Sequence, residues 1–176
     1  AFEWLVEARD QGTCVVRLLN NGFGEGEPWD DQYDAMENGW RIFLLNLQLH
    51  CKHFAGRAAT SMQPMAMWRV DRQPAWERLT SQLGLPTEPT IGERVRADAG
   101  DGLGYAGTVA AVGPTWMAVL TEEPAPGTAF FAAEHGGEAC GVSVWGYLYG
   151  DDAMAIVERD KPRWQGWLGE QAGAVG

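Results

Sequence analysis

Residues 40–54 read WRIFLLNLQLHCKHF, and the rest of the fold depends on how they are assigned. At about 100° per residue, a helix with Trp40 at the front places Phe43, Leu44, Leu47, Cys51 and Phe54 on that same face. Ile42, Leu45 and Leu49 gather on the opposite side. Arg41, Gln48 and Lys52 form one polar seam, and Asn46, His50 and His53 form the other. A surface helix of a globular protein carries one apolar stripe, whereas this segment carries two. The front stripe is expected to pack on the helix's own sheet. The back stripe, Ile42, Leu45 and Leu49, is expected to form an interface: with a second domain, with a second copy in a homodimer, or with a missing half-domain.

Upstream, FEWLVEAR alternates between Phe2, Trp4, Val6, Ala8 and Glu3, Leu5, Glu7, Arg9, as a strand with one wetter face does. The turn Asp10-Gln11-Gly12 leads into TCVVRLLN, giving a hairpin. NNGFGEGEPWDD is a Gly- and Asp-rich loop, and its acids suit the start of a helix predicted over 31–54, ending near Gly56. The chain opens without Met inside a strand-like pattern, which reads as a fragment or a processed chain.

Downstream, RAATSMQP has the composition of a linker and MAMWRVD that of a short strand. Pro74 opens an amphipathic helix with Trp76, Leu79 and Leu83 on one stripe. ERVRADA, GYAGTVAAVG, TWMAVLTE, GTAFFAAE and ACGVSVWGYLY then follow, separated by tight turns, as the strands of an antiparallel sheet do. The last element, DDAMAIVERDKPRWQGWLGEQ, is helical, with Pro162 expected to kink or restart it. The tripeptide DAM recurs at 34–36 and 152–154. Trp40/Leu44 and Trp164/Leu168 repeat one spacing in the two long helices.

These motifs carry a family resemblance. Residues 3–56, with Gly12-Thr13, the L-x-x-x-G-F of Leu18, Gly22 and Phe23, and the G-W-x-x-x-L-x-x-L of Gly39, Trp40, Leu44 and Leu47, resemble the C-terminal half of an SRPBCC (START-like, helix-grip) domain. The branch they resemble includes the heat-shock-protein ATPase activator homologues. The remainder, chiefly through VSVWGYLYGDD and its element order, resembles a compact second domain of the same superfamily. The resemblance implies an α+β class, with an antiparallel sheet curved around a long C-terminal helix, in two related units. The domains expected are 1–57, lacking its beginning, a linker over 58–64, and 65–172.

Such domains hold an apolar ligand between sheet and helix. The expected ligand-binding set is Trp116, Phe130, Trp145, Tyr147, Met154, Trp164 and Trp167, with Tyr147 or Tyr149 offering a hydroxyl. The same residues also fit the plain core of a small domain. Binding of an apolar small molecule, without catalysis and without a cofactor, is the first functional expectation. A protein-interaction module of chaperone-activator type is the alternative, and a cyclase- or dehydratase-like enzyme the third.

Other chemistry finds little support. A net charge of −11 with scattered basic residues disfavours nucleic acid and anionic membrane. No apolar run approaches the ~20 residues that span a bilayer. Cys14, Cys51 and Cys140 are too few and too far apart for a disulfide framework; each sits in an apolar pattern, which fits packed thiols in a reducing cytoplasm. His50 and His53 share a seam, but zinc needs three or four convergent ligands and only His135 remains. GFGEGE lacks the dinucleotide spacing. Ser143 sits in CGVSVWG, inside a strand and not on a nucleophile elbow, and Cys140 near His135 makes an unconvincing nucleophile. Glu122/Glu123, Asp30/Asp31 and Asp151/Asp152 fall at turns and helix starts, where capping and solvation explain them.

Overall fold

The computed structural model describes residues 2–10, 13–20, 27–135 and 139–173. The glycine-rich stretch 21–26, and with it the G-x-G-x-G reading and the Gly22-Phe23 motif, lies outside the described residues, as do the side chains of Asp30, Asp31 and His135. The chain divides into two compact units, 1–42 and 43–176.

In the first unit, β1 (Phe2–Ala8) and β2 (Cys14–Asn20) pair antiparallel, with Trp4 opposite Leu18 and Val6 opposite Val16. Glu7 pairs with Arg17 across the hairpin and with Arg9 two residues on. A long helix follows, α1 (Glu27–His53), whose continuous backbone runs through the boundary between the units. It begins earlier than expected because Pro28 fits the first turn, where its missing N–H is not needed. Within the first unit Trp40, on the predicted front stripe, meets Trp4 edge to face at 6.1 Å.

The second unit is built on a sheet that, among the described residues, has seven strands. They are β3 (Thr60–Met62), β4 (Met65–Trp68), β5 (Arg94–Asp98), β6 (Gly104–Gly113), β7 (Trp116–Glu123), β8 (Gly127–His135) and β9 (Cys140–Leu148). The order is β3-β9-β8-β7-β6-β5, all antiparallel, with β4 also on β9. β3 falls inside the predicted linker: Ser61 pairs with Tyr147 of a strand far along the chain, a partner that local composition does not reveal. Two helices complete the unit: α2 (Arg72–Gln82), and α3 (Ala153–Gly173), which runs as one helix through Pro162.

Alternation along the strands gives the sheet two faces. Ala129, Phe131 and Ala133 of β8 and Val142, Val144 and Leu148 of β9 point inward, toward Trp76, Leu79 and Leu83 of α2 and its C-terminus and Val157, Trp164 and Leu168 of α3. Buried indoles place their donors as they must: Trp68 Nε1 donates to Leu168 O at 3.1 Å and Trp76 Nε1 to Thr87 O at 3.0 Å. The outward face carries Thr128, Phe130 and Ala132 of β8 opposite Tyr147, Trp145 and Ser143 of β9.

Candidate functional site

The inner face is where sheet and C-terminal helix meet. Tyr105, on β6, stacks on Trp164 with ring centroids 5.8 Å apart and an interplanar angle of 11°. It meets Phe131 edge-on at 6.1 Å. Its hydroxyl lies against Gly146, where any side chain would collide with it, and Met62 closes the same spot. That hydroxyl is buried and has no hydrogen-bond partner among the described residues. Burial raises its pKa well above the usual phenol range, and the negative charge of Asp160 adds to the shift.

Asp160 is the second polar group here. Spacing from Val157 to Asp160, Trp164 and Leu168 puts a carboxylate in the buried stripe of α3. Arg159 donates to Asp160 at 2.8 and 2.7 Å and Arg163 at 3.0 Å. Burial alone would raise the carboxyl pKa; the bonds and charges of the two guanidinium groups outweigh it and hold the carboxyl below its ordinary range. Arg163 also donates to Asp101 O at 2.8 Å, tying α3 to the turn between β5 and β6.

On the outer face, the second half of α1 lies on the sheet. Phe43 meets Trp145 at 4.9 Å, and Phe54 stacks on Tyr149 at 4.0 Å and 8°. Between them Thr128 Oγ1 donates to Asn46 Oδ1 at 2.7 Å, and the Tyr149 hydroxyl lies 2.9 Å from His50 Nδ1. Asn46 thus bonds to β8 and His50 to Tyr149, one residue past β9, so these two are not a solvated seam; His53 is exposed. Ile42 and Leu49 of the predicted interface are buried and Leu45 is half-buried.

The sheet separates the residues expected to line one pocket. Trp164 and the half-buried Trp167, 5.8 Å apart, belong to the inner face. Phe130, Trp145 and Tyr147 cluster on the outer face, at 6.1 and 6.3 Å from the Phe130 ring. Trp116 is on that same side, with its indole over Gly113. Met154 is exposed on α3. The Tyr147 hydroxyl accepts from Gln63 Nε2 at 2.8 Å. Tyr105 and Asp160 are absent from the sequence-based set; the available signal was a charge at the i+3 position of an apolar stripe.

Of the cysteines, Cys140 is buried, whereas Cys14 and Cys51 are exposed, contrary to the expectation that all three pack. Burial pushes the Cys140 thiol up to about 11, so it is not a thiolate nucleophile near neutral pH; its Sγ lies 3.2 Å from Glu134 O. Glu122 and Glu123 pair with Arg94 and Arg96 across the sheet at 2.9 and 2.7 Å. A cleft of about 120 Å³ lies beside the second of these pairs, lined by Arg96, Asp98, Leu103 and Pro124 among others. Among the described residues no group of three or more His, Cys, Asp or Glu converges as metal ligands would, and no helix is long and apolar enough to cross a membrane.

An antiparallel sheet with a long C-terminal helix across its inner face decides the architecture. It is a helix-grip fold. No protein-family profile matches the chain, and no curated protein sequence does. Solved structures do. DynU16, from the dynemicin biosynthetic locus, matches with a TM-score of 0.51 at 21% identity, over 64% of this chain and 45% of that one. The Aha1 dimer from Colwellia psychrerythraea matches with a TM-score of 0.50 at 11% identity, over 66% of this chain and 96% of that one. The chain therefore spans less than half the length of DynU16, and at these identities the likeness is one of fold.

Proposed function

We propose that the chain is a non-enzymatic, cytoplasmic protein-interaction module of the chaperone-activator type. One observation carries this reading: the space between sheet and α3, where a helix-grip ligand would lie, holds the protein's own side chains. Trp68, Tyr105, Phe131, Trp164 and Met62 are each 2% exposed or less. Apolar surface is displayed outside instead, with Trp4 51% and Val6 68% exposed on one face of the hairpin. An apolar display of this kind is what a partner protein covers. The resemblance of residues 3–56 to the activator branch points to the same class of partner, as a fold analogy.

The test is titration of the full chain into a purified heat-shock-protein ATPase, followed by calorimetry and by ATP turnover. The expected result is saturable binding with altered turnover, weakened at least ten-fold by Trp4→Ser with Val6→Ser. Absence of binding, or binding indifferent to both substitutions, overturns the reading. Retention of an apolar small molecule is the second reading, and the Tyr105 hydroxyl, buried on the inner face without a partner among the described residues, favours it. Native mass spectrometry beside a denaturing run decides it: extra non-covalent mass supports a ligand, and a bare chain removes it.

A further inference from the structure

β4 forms part of one edge of the seven-stranded sheet, and an edge strand carries a row of backbone groups ready to pair with another strand. Val144 N donates to Pro64 O at 3.1 Å, so alternation turns the N–H and C=O of Met65 and Met67 away from β9, toward a side where no strand pairs with β4 among the described residues. At Met65 those groups are capped by a side chain. Gln165 Nε2 donates to Met65 O at 2.7 Å, and Met65 N donates to Gln165 Oε1 at 3.3 Å. A carboxamide has the donor and acceptor of a peptide group, so Gln165 of α3 occupies the place of a neighbouring strand at that one residue.

We propose that β4 is a strand-addition edge for a second copy of this chain, and that Gln165 holds it closed. Self-complementarity argues for a second copy. If two β4 strands pair antiparallel about Ala66, Met65 of each lies opposite Met67 of the other. Every outward N–H and C=O at both residues is then used, and the smallest side chain sits at the axis. The side chains agree. Met65 and Met67 lie side by side over Gly141, uncharged, and are 54% and 48% exposed; the pairing would bring them together with their twins. The opposite edge is unlike this one: β5 is lined by the Arg94–Glu122 and Arg96–Glu123 pairs, charges of the kind that deter strand addition.

Sedimentation of the full chain across a concentration series tests the proposal, with Gln165→Ala, Gln165→Glu and Gln165→Ala/Met67→Lys beside the parent. Gln165 is exposed, so these variants keep the core, and their thermal melts check that. The expected result is dimer formation at ten-fold or more lower concentration in both single variants, with the Met67 amide protected from exchange in the dimer. Met67→Lys is expected to restore the monomer. Unchanged self-association in the folded single variants, or association that persists with Met67→Lys, overturns the proposal.

Discussion

Tyr105 is a phenol placed where a phenylalanine would serve the packing equally well. Its ring contributes the stack on Trp164, while its hydroxyl is buried against Gly146 without a partner among the described residues. An unsatisfied buried hydroxyl costs about 1–3 kcal/mol. Tyr105→Phe keeps the ring and removes that cost, so thermal unfolding should show a gain of about 1 kcal/mol. A loss of similar size would mean that the hydroxyl is bonded in solution. Asp160 behaves in the opposite way, because its two arginines satisfy it. Its folded-state carboxyl value lies below the ordinary one. The stabilisation is therefore present above the unfolded value of about 3.9 and is lost as pH falls through the lower, folded value. Asp160→Asn should cost about 2 kcal/mol at pH 7, the scale of charge-assisted hydrogen bonds. The gap to the parent should close as the pH drops below about 4. Denaturant melts at several pH values read this directly, and a gap that stays constant into acid would rule out the ion triad as its source.

At the scale of elements, α1 shows what a helical wheel reads and what it misses. Both apolar stripes were visible; of the front stripe, Trp40 meets Trp4 of its own hairpin, whereas Phe43 and Phe54 meet Trp145 and Tyr149 of the second unit and Cys51 is exposed. The face on the second unit's sheet is centred between the stripes, however, on Asn46 and His50. Pattern reading gives polar residues to water by default, but these two bond to Thr128 and Tyr149, positions 82 and 99 residues later. A partner that distant leaves no local trace. For the same reason β3 hid in a linker composition, while β5 to β9, whose turns and alternation are local, were legible. Thr128 is fully buried, so breaking its bond to Asn46 strands a polar atom. Thr128→Val and Asn46→Ala should each destabilise by about 1–2 kcal/mol. Their double-mutant cycle should show coupling of about 1 kcal/mol. Additivity to within about 0.3 kcal/mol would place the two side chains out of contact.

At the scale of the molecule, the second unit holds a core of its own. Every member of its main apolar cluster falls between Met62 and Leu168, and the docked part of α1 adds Phe43 and Phe54 over the outer face. The length of this unit suits independent folding, since chains of roughly 100–150 residues bury about two-thirds of their unfolded surface. A chain begun at Phe43 should therefore unfold cooperatively and keep the near-ultraviolet signature of the buried tryptophans. One begun at Ala55 loses the Phe43–Trp145 and Phe54–Tyr149 contacts together with the bonds of Asn46 and His50, and uncovers aromatic surface on the sheet. It should associate or precipitate under the same conditions, because contiguous exposed apolar surface drives association. Circular dichroism and light scattering on the two truncations distinguish the outcomes. If the chain begun at Phe43 fails to fold, the core of the second unit depends on residues 1–42. If both behave alike, the α1 contacts on the outer face contribute little, and the two stripes of that helix need another cause.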